Sequence, residues 1–209
     1  MPNLVLERKC DGVVCGIDEA GRGPLAGPVV AAAVIIDVAR LPRGLRKQID
    51  DSKKLLREQR EEYAARLWSC ARIGIGAASV GEIDRINILQ ASLLAMRRAL
   101  DALPAVPHWA LVDGNMTPPL PCRTRTVIGG DGLSLSIAAA SIIAKVTRDR
   151  LMRALARRYP GYGWETNVGY ATEEHRAGLL ALGPTRHHRM SFAPLQLSIE
   201  FDSNPNEFD

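Results

Sequence analysis

No apolar run in the 209-residue sequence approaches the roughly 20 uncharged residues that a membrane helix needs. The segment Met1–Lys9 lacks the apolar stretch of a secretory signal. A cytoplasmic protein that does not enter the membrane is therefore expected. The four cysteines, Cys10, Cys15, Cys70 and Cys122, are scattered, and none forms a Cys-x-x-Cys pair. That argues against structural zinc and for reduced, partly buried thiols. Histidine and cysteine do not cluster with metal-ligand spacing. There is no internal repeat and no low-complexity linker. Lysine is scarce: of the 27 basic residues only Lys9, Lys47, Lys53, Lys54 and Lys145 are not arginine.

The formal net charge is +4, and it is unevenly spread. Residues 200–209 carry Glu200, Asp202, Glu207 and Asp209 and no base. Without these four acids, 27 bases face 19 acids over residues 1–199. Arginine's planar fork suits phosphate, so a polyanion partner fits. An arginine-favouring codon bias, which the many alanines support, explains the composition equally well.

The chain is long enough for a sizeable core. Gly12–Ile17 and Val29–Ile36 read as strands joined by a glycine-rich loop. Arg40–Leu55 reads as an irregular basic connection. Leu56–Cys70 has helical character, Arg72–Ser79 alternates like a strand, and Glu82–Leu103 is a clear amphipathic helix. Trp109–Val112 and Thr124–Ile128 are further strands, and Ser136–Tyr159 is a long helix. Early consecutive strands predict antiparallel pairing; later strands separated by helices predict parallel pairing. The expectation is one α/β domain over 1–209 with a catalytic core of about 12–159. A small element over about 160–197 and a mobile tail over 198–209 follow it.

The chemistry concentrates in Ile17-Asp-Glu-Ala-Gly-Arg-Gly-Pro-Leu-Ala-Gly-Pro28. Two adjacent carboxylates, Asp18 and Glu19, end an apolar run, and a glycine-bracketed Arg22 follows. Successive strand residues point to opposite faces, so both acids serve one site only if the chain turns at Glu19. Asp113 ends a later strand, and ligands bind at strand ends in open α/β sheets. Asp131 and Asp149 compete for a fourth place. Asp131 lies between a strand and the long helix, whereas Asp149 lies roughly 20 Å along that helix, at about 1.5 Å per residue. Each also has an ordinary structural reading: a turn or cap for Asp131, an ion pair with Lys145 for Asp149. Four carboxylates without His or Cys favour Mg²⁺ or Mn²⁺, and two such ions can clamp the attacking and leaving oxygens of a phosphodiester. A non-catalytic nucleic-acid-binding module would not need four converging acids. A dinucleotide site would need a helix after the glycines, where Pro24, Pro28 and Val29–Ile36 predict a loop and a strand.

The chain resembles bacterial ribonuclease HII, the type 2 ribonuclease H. The matching segments are Asp18–Pro28, Asp51-Ser-Lys-Lys-Leu55, Leu111-Val-Asp-Gly114 and Gly130-Asp131. Ser136–Asp149, Gly169-Tyr-Ala-Thr172 with His175, and His188-Arg-Met-Ser-Phe192 complete the series in family order. The resemblance implies a ribonuclease H-like mixed central sheet flanked by helices, with a small C-terminal helical element. It implies cleavage of RNA paired with DNA, and cutting 5′ of a single ribonucleotide in duplex DNA, leaving a 5′-phosphate and a 3′-hydroxyl. A monomer with two Mn²⁺ or Mg²⁺ ions is expected. By the same resemblance Asp18, Glu19, Asp113 and Asp131 are the metal-site carboxylates, and Gly21, Arg22 and Gly23 sense the 2′-hydroxyl. Tyr170 stacks on the sugar at the junction, and Lys53 lies near the scissile phosphate. Arg148, Arg150, Arg153, Arg157 and Arg158 are open to either phosphate contact or a solvated helix face. His187 and His188 read as structural or substrate-side. Family members commonly carry Lys-Gly-Asp where this chain has Gly129-Gly130-Asp131, which leaves open how that loop is held.

Overall fold

The computed structural model describes residues 1–193. Residues 194–209, including the acidic tail, lie outside the described part. Strand β1 is Val14–Ala20, β2 Val29–Ile36, β3 Ala71–Ala78, β4 Trp109–Asp113 and β5 Arg123–Val127. They form one sheet in the order β3-β2-β1-β4-β5. Pairing is antiparallel between β1 and β2 and between β2 and β3, and parallel between β1 and β4 and between β4 and β5. The helices are α1 Arg43–Gln48, α2 Arg57–Cys70, α3 Val80–Asp101, α4 Leu135–Ala156, α5 Trp164–Asn167 and α6 Glu173–Leu182.

Residue chemistry accounts for this layering. Strand β2 is Val-Val-Ala-Ala-Ala-Val-Ile-Ile, buried on both faces, which is the pattern of a strand covered on two sides. One face meets α4 and α2 through Ala32, Val34, Ala139 and Ile143. The other meets α3 through Ala31, Ala33, Ala95 and Ala99. Helix α4 enters at the small-residue run Ala138-Ala139-Ala140-Ser141, all of it buried. Its approach to β1 is so close that a Cβ on Gly16 would overlap the Ser136–Ile137 backbone. Gly74 and Gly76 on β3 play the same part beneath α3. No helix among the described residues is long and apolar enough to cross a membrane.

Several elements depart from the expected boundaries. Strand β1 runs on past Ile17, with Asp18, Glu19 and Ala20 paired to Ala32, Ala31 and Val30. The expected irregular stretch Arg40–Leu55 contains α1. Leu41, Leu45 and Ile49 there recur at helical spacing and are buried, while the intervening bases are what made the stretch look irregular. Helix α3 is broken at Asn87 (φ 64°, ψ 165°). No helix separates the parallel strands β4 and β5, because Pro118, Pro119 and Pro121 fill the connection and cannot donate helical hydrogen bonds.

The Gly16 contact is directly testable. Gly16→Ala forces β1 and α4 apart, and overpacking of that kind costs about 1–3 kcal/mol or more. Denaturant unfolding of the folded variant should show a loss in that range. An unchanged midpoint would mean that the close approach is not what seats α4.

Candidate active site

The acids gather where β4 stops. The last paired residues of β1 and β4 are Ile17 and Val112, so Asp113 lies beside Asp18 at the end of the ladder. Gly114, with φ +96°, then turns the chain away. Glu19 therefore has Ala31 on one side and no β4 residue on the other. The expected turn at Glu19 is absent. The neighbouring strand ends instead, which leaves Glu19, on the opposite face from Asp18, close enough to Asp113 for their charges to interact.

Asp131 reaches the same edge from another direction. Residues Gly130–Gly132 form a 3-10 turn directly before α4. The Gly130 amide donates to Asp113 Oδ1 at 2.7 Å, tying that turn to the end of β4. Gly129 adopts the left-handed conformation, φ 63° and ψ 35°, which glycine takes at little cost. The segment before β1 also holds the loop. Asn3 bonds the backbone of Leu133 and Leu135, and Glu7 Oε1 accepts from the Ser134 and Ser136 hydroxyls and the Ser136 amide. A carboxylate at the start of α4 is also favoured by the helix dipole. These contacts answer how the turn is held where a lysine is commonly found. They involve residues 1–11, which carry no distinctive sequence signal.

Burial and like charge dominate the electrostatics. Asp18 is 4% exposed. Burial first, and the charges of Glu19 and Asp113 next, push its carboxyl well above the usual value. The Glu19 amide donates to it, and the Ser141 hydroxyl nearby also favours the charged form, but the two only partly offset this. Glu19 is raised by burial and Asp113, against the pull of Arg22, whose Nη1 is 3.4 Å from Oε1. Asp131 is raised by burial and by Asp51, against the pull of Lys53, whose Nζ is 3.5 Å from Oδ2. Buried carboxylates facing one another are strained unless a cation joins them.

An all-oxygen, multiply anionic donor set matches a hard divalent ion such as Mg²⁺ or Mn²⁺. Among the described residues no three His, Cys, Asp or Glu side chains converge tightly enough to hold an ion by themselves. A Mg²⁺ ion is commonly held by one or two carboxylates together with waters and substrate phosphate.

The other expected site residues surround this edge. Lys53 is largely exposed, and burial alone would lower its ammonium pKa; Asp131, Asp51 and Asp18 together outweigh that and raise it. Its loop is anchored by Ser52, buried, with its hydroxyl 2.7 Å from that of Ser141. Arg22 is half-exposed beside Glu19. Tyr170 is 44% exposed, its ring under Lys145 Nζ at 5.7 Å and 3.8 Å from where a Gly23 Cβ would stand. Its backbone carbonyl accepts from His175 Nδ1 at 2.9 Å. His175 Nε2 in turn accepts from Trp164 Nε1 and from His188 Nε2, each at 3.1 Å, and His188 Nδ1 accepts from the Thr185 amide. These partners assign the tautomers. His188, lowered to about 4 by burial and by His175, stays neutral.

Arg148 is not a phosphate contact. It is fully buried and, among the described residues, donates only to backbone carbonyls. Arg150 and Arg153 pair with Glu61. Asp149 bonds Lys145 at 2.9 Å, and Arg153 lies 4.0 Å away, so it faces α4's own bases rather than the acidic edge. Sequence reasoning gave Asp51, Ser52 and Ser141 no role, although all three lie within the quoted segments. Nothing in the flanking residues distinguishes Ser141, whose hydroxyl lies near Asp18, from a serine that only packs.

The family model described as Ribonuclease HII matches residues 15–195. A ribonuclease HII of Paramagnetospirillum magneticum is 63% identical over 195 residues, covering 93% of this chain and 97% of the relative. One from Granulibacter bethesdensis is 61% identical over 194 residues, covering 92% of this chain and 89% of the relative. The crystal structure of ribonuclease H2 from Pyrococcus horikoshii matches with a TM-score of 0.70 at 26% identity, covering 92% of this chain and all of that one.

The strain at Asp18 has a measurable sign. Its folded-state pKa lies above the ordinary value of 3.8. As pH rises past 3.8 the unfolded chain loses this proton first, and each unit up to the folded value costs about 1.4 kcal/mol. Without divalent ions, Asp18→Asn should therefore melt no lower than the wild type above that pH, with a margin that grows as pH rises. Added Mn²⁺ or Mg²⁺ should raise the melting temperature of the wild type more than that of the variant. A variant that melts lower at every pH would show that the charge is not the strained element.

Proposed function

The chain belongs to the ribonuclease HII family, and we propose that it cuts duplex DNA on the 5′ side of an embedded ribonucleotide, leaving a 5′-phosphate and a 3′-hydroxyl. It is a ribonuclease H-type hydrolase, an endoribonuclease acting on RNA/DNA hybrids. The finer reading assigns it the removal of misincorporated ribonucleotides and RNA primers. One observation carries it: a strand-end cluster of strained carboxylates lies next to a glycine loop exposed at Arg22 and Gly23 and an exposed tyrosine.

Asp18, Glu19, Asp113 and Asp131 are the groups that would hold divalent ions. Such ions, Mn²⁺ or Mg²⁺, supply activation of water and stabilisation of the departing 3′-oxygen, so no side-chain nucleophile is needed. The chain's own contribution is positioning. Asp18 and Asp113 project from adjacent strand ends, Glu19 from the opposite face, and Asp131 from the turn that Gly130 ties to Asp113. Lys53, exposed beside Asp131, would meet a phosphate next to the scissile bond. Gly21-Arg22-Gly23 reads the 2′-hydroxyl, the group that distinguishes RNA from DNA. Tyr170 stacks on the sugar that follows. A binding module would pay for these acids in phosphate repulsion and gain nothing from them.

Replacing Asp113 by Asn keeps an oxygen for the Gly130 amide and removes the charge. Asp113→Asn and Asp131→Asn should each lower cleavage of a duplex with one ribonucleotide by about a hundred-fold or more at saturating Mn²⁺, a loss typical of removing a group that stabilises transition-state charge. Melting temperature and duplex affinity should change little. Asp149→Asn should do the reverse, costing about 2–3 kcal/mol of stability by stripping a buried partner from Lys145 and Arg153, with little effect on rate. Near-full activity in either active-site variant would remove that residue from the site.

A further inference from the structure

Two arginines are buried completely and, among the described residues, hydrogen-bond to no carboxylate: Arg148 and Arg189, both 0% exposed. Their donors go to backbone carbonyls instead. Arg189 gives Nε to Gly27 at 2.9 Å, Nη1 to Arg22 at 2.8 Å and Nη2 to Gly21 at 2.5 Å. Arg148 gives Nε to Pro28 at 3.0 Å, Nη1 to Val168 at 2.9 Å and Nη2 to Ala26 at 3.0 Å. Isolated buried charges are costly, and packing alone would be served better by an apolar residue of similar size. Arg189 bears this out: burial and then the nearby Arg148 push its pKa down to about 9, against Asp84 and Tyr170.

What the arrangement achieves is a fixed orientation of the loop. A trans peptide is planar, so the carbonyl of one residue points opposite to the amide of the next. With the Gly21 and Arg22 carbonyls held inward on Arg189, the amides of Arg22 and Gly23 point outward. Among the described residues neither amide donates to the protein. Gly21, at φ +98°, has its α-carbon against the Arg148 side chain, so the loop cannot pivot inward. The tyrosine arm is locked to the same body. Val168 is held by Arg148, and the Leu25 amide donates to the Gly169 carbonyl at 2.8 Å. Only a guanidinium carries enough coplanar donors to hold three carbonyls at once.

We propose that Arg189, backed by Arg148, is a specificity-determining positioning residue: it turns the Arg22 and Gly23 amides outward and locks them at a fixed spacing from Tyr170, and this sets the preference for a ribonucleotide over a deoxyribonucleotide. The inference rests on the reading of Gly21–Gly23 as the sugar sensor. Arg189 touches neither the substrate nor the acids; it acts through the loop.

The test compares affinities for two duplexes of one sequence, one with a single ribonucleotide and one all-DNA, measured with Ca²⁺ in place of the activating metal, with thermal melting alongside. Arg189→Lys keeps the charge but cannot hold three carbonyls. It should reduce the ribonucleotide preference about ten-fold while leaving the all-DNA affinity within about two-fold, the scale of losing one or two oriented hydrogen bonds. An unchanged preference in the folded variant overturns the inference, as does an equal loss on both duplexes. If Arg189→Lys does not fold, Asp84→Ala decides. Asp84 accepts from the Met190 and Ser191 amides at the half-buried rim of the same turn, and its loss should shift the preference about three-fold by slackening Arg189. No shift there overturns the inference equally. A wild type without any ribonucleotide preference would instead defeat the sensor reading itself.

Discussion

The approach of α4 to β1 at Gly16, backbone against backbone with no room for a Cβ, governs the placement of nearly everything else. It sets the start of α4 beneath the strand that carries Asp18. The turn leading into the helix then delivers Asp131, and the helix's second turn delivers the Ser141 hydroxyl. Further along, the same helix presents Lys145 to Tyr170 and Arg148 to the glycine loop. One contact distance between two backbones thus positions the acids, the Lys53 loop through Ser52, and part of the surface formed by the glycine loop and Tyr170.

Around that frame the molecule holds charge in two opposite ways. The acidic edge concentrates carboxylates that repel one another and leaves them incompletely paired, an arrangement that favours the entry of a cation. The neighbouring loop is built on buried cations paired with neutral carbonyls, which orient the backbone without quenching the acids. Arginines donating to carboxylates there would have drained the negative potential on which metal affinity depends. The neutral histidine pair continues the same economy, fixing the Tyr170 carbonyl with uncharged rings.

Much of the fold is legible from pattern. Strand β2 was readable to the residue, because a β-branched and alanine run between prolines and turns has one interpretation. Antiparallel pairing of β1 with β2 and parallel pairing of β1 with β4 followed from the order of strands and helices; the parallel pairing of the consecutive strands β4 and β5 did not. The misses have local causes. Helix α1 and its flanks hid Leu41, Leu45 and Ile49 among bases, the loop 114–122 joins parallel strands without a helix, and Asn87 breaks α3 although both halves keep one apolar stripe. Arg148 reads as one more arginine on a basic helix, since burial is not a property of a residue's neighbours in sequence.

The sequence by itself determined the chemistry: acids adjacent to a glycine-bracketed arginine, further acids at predicted strand ends, and a motif order that resembles one family. Those features are local or ordinal, and a linear text records them. Only the tertiary structure decided how Asp18 and Glu19, on opposite faces of one strand, come to share an edge. The cause is that β4 ends one residue beyond its last pairing with β1, and registry between distant strands is written in neither strand alone. It likewise decided that two arginines serve the backbone rather than the substrate, because desolvation depends on what the whole chain packs around them.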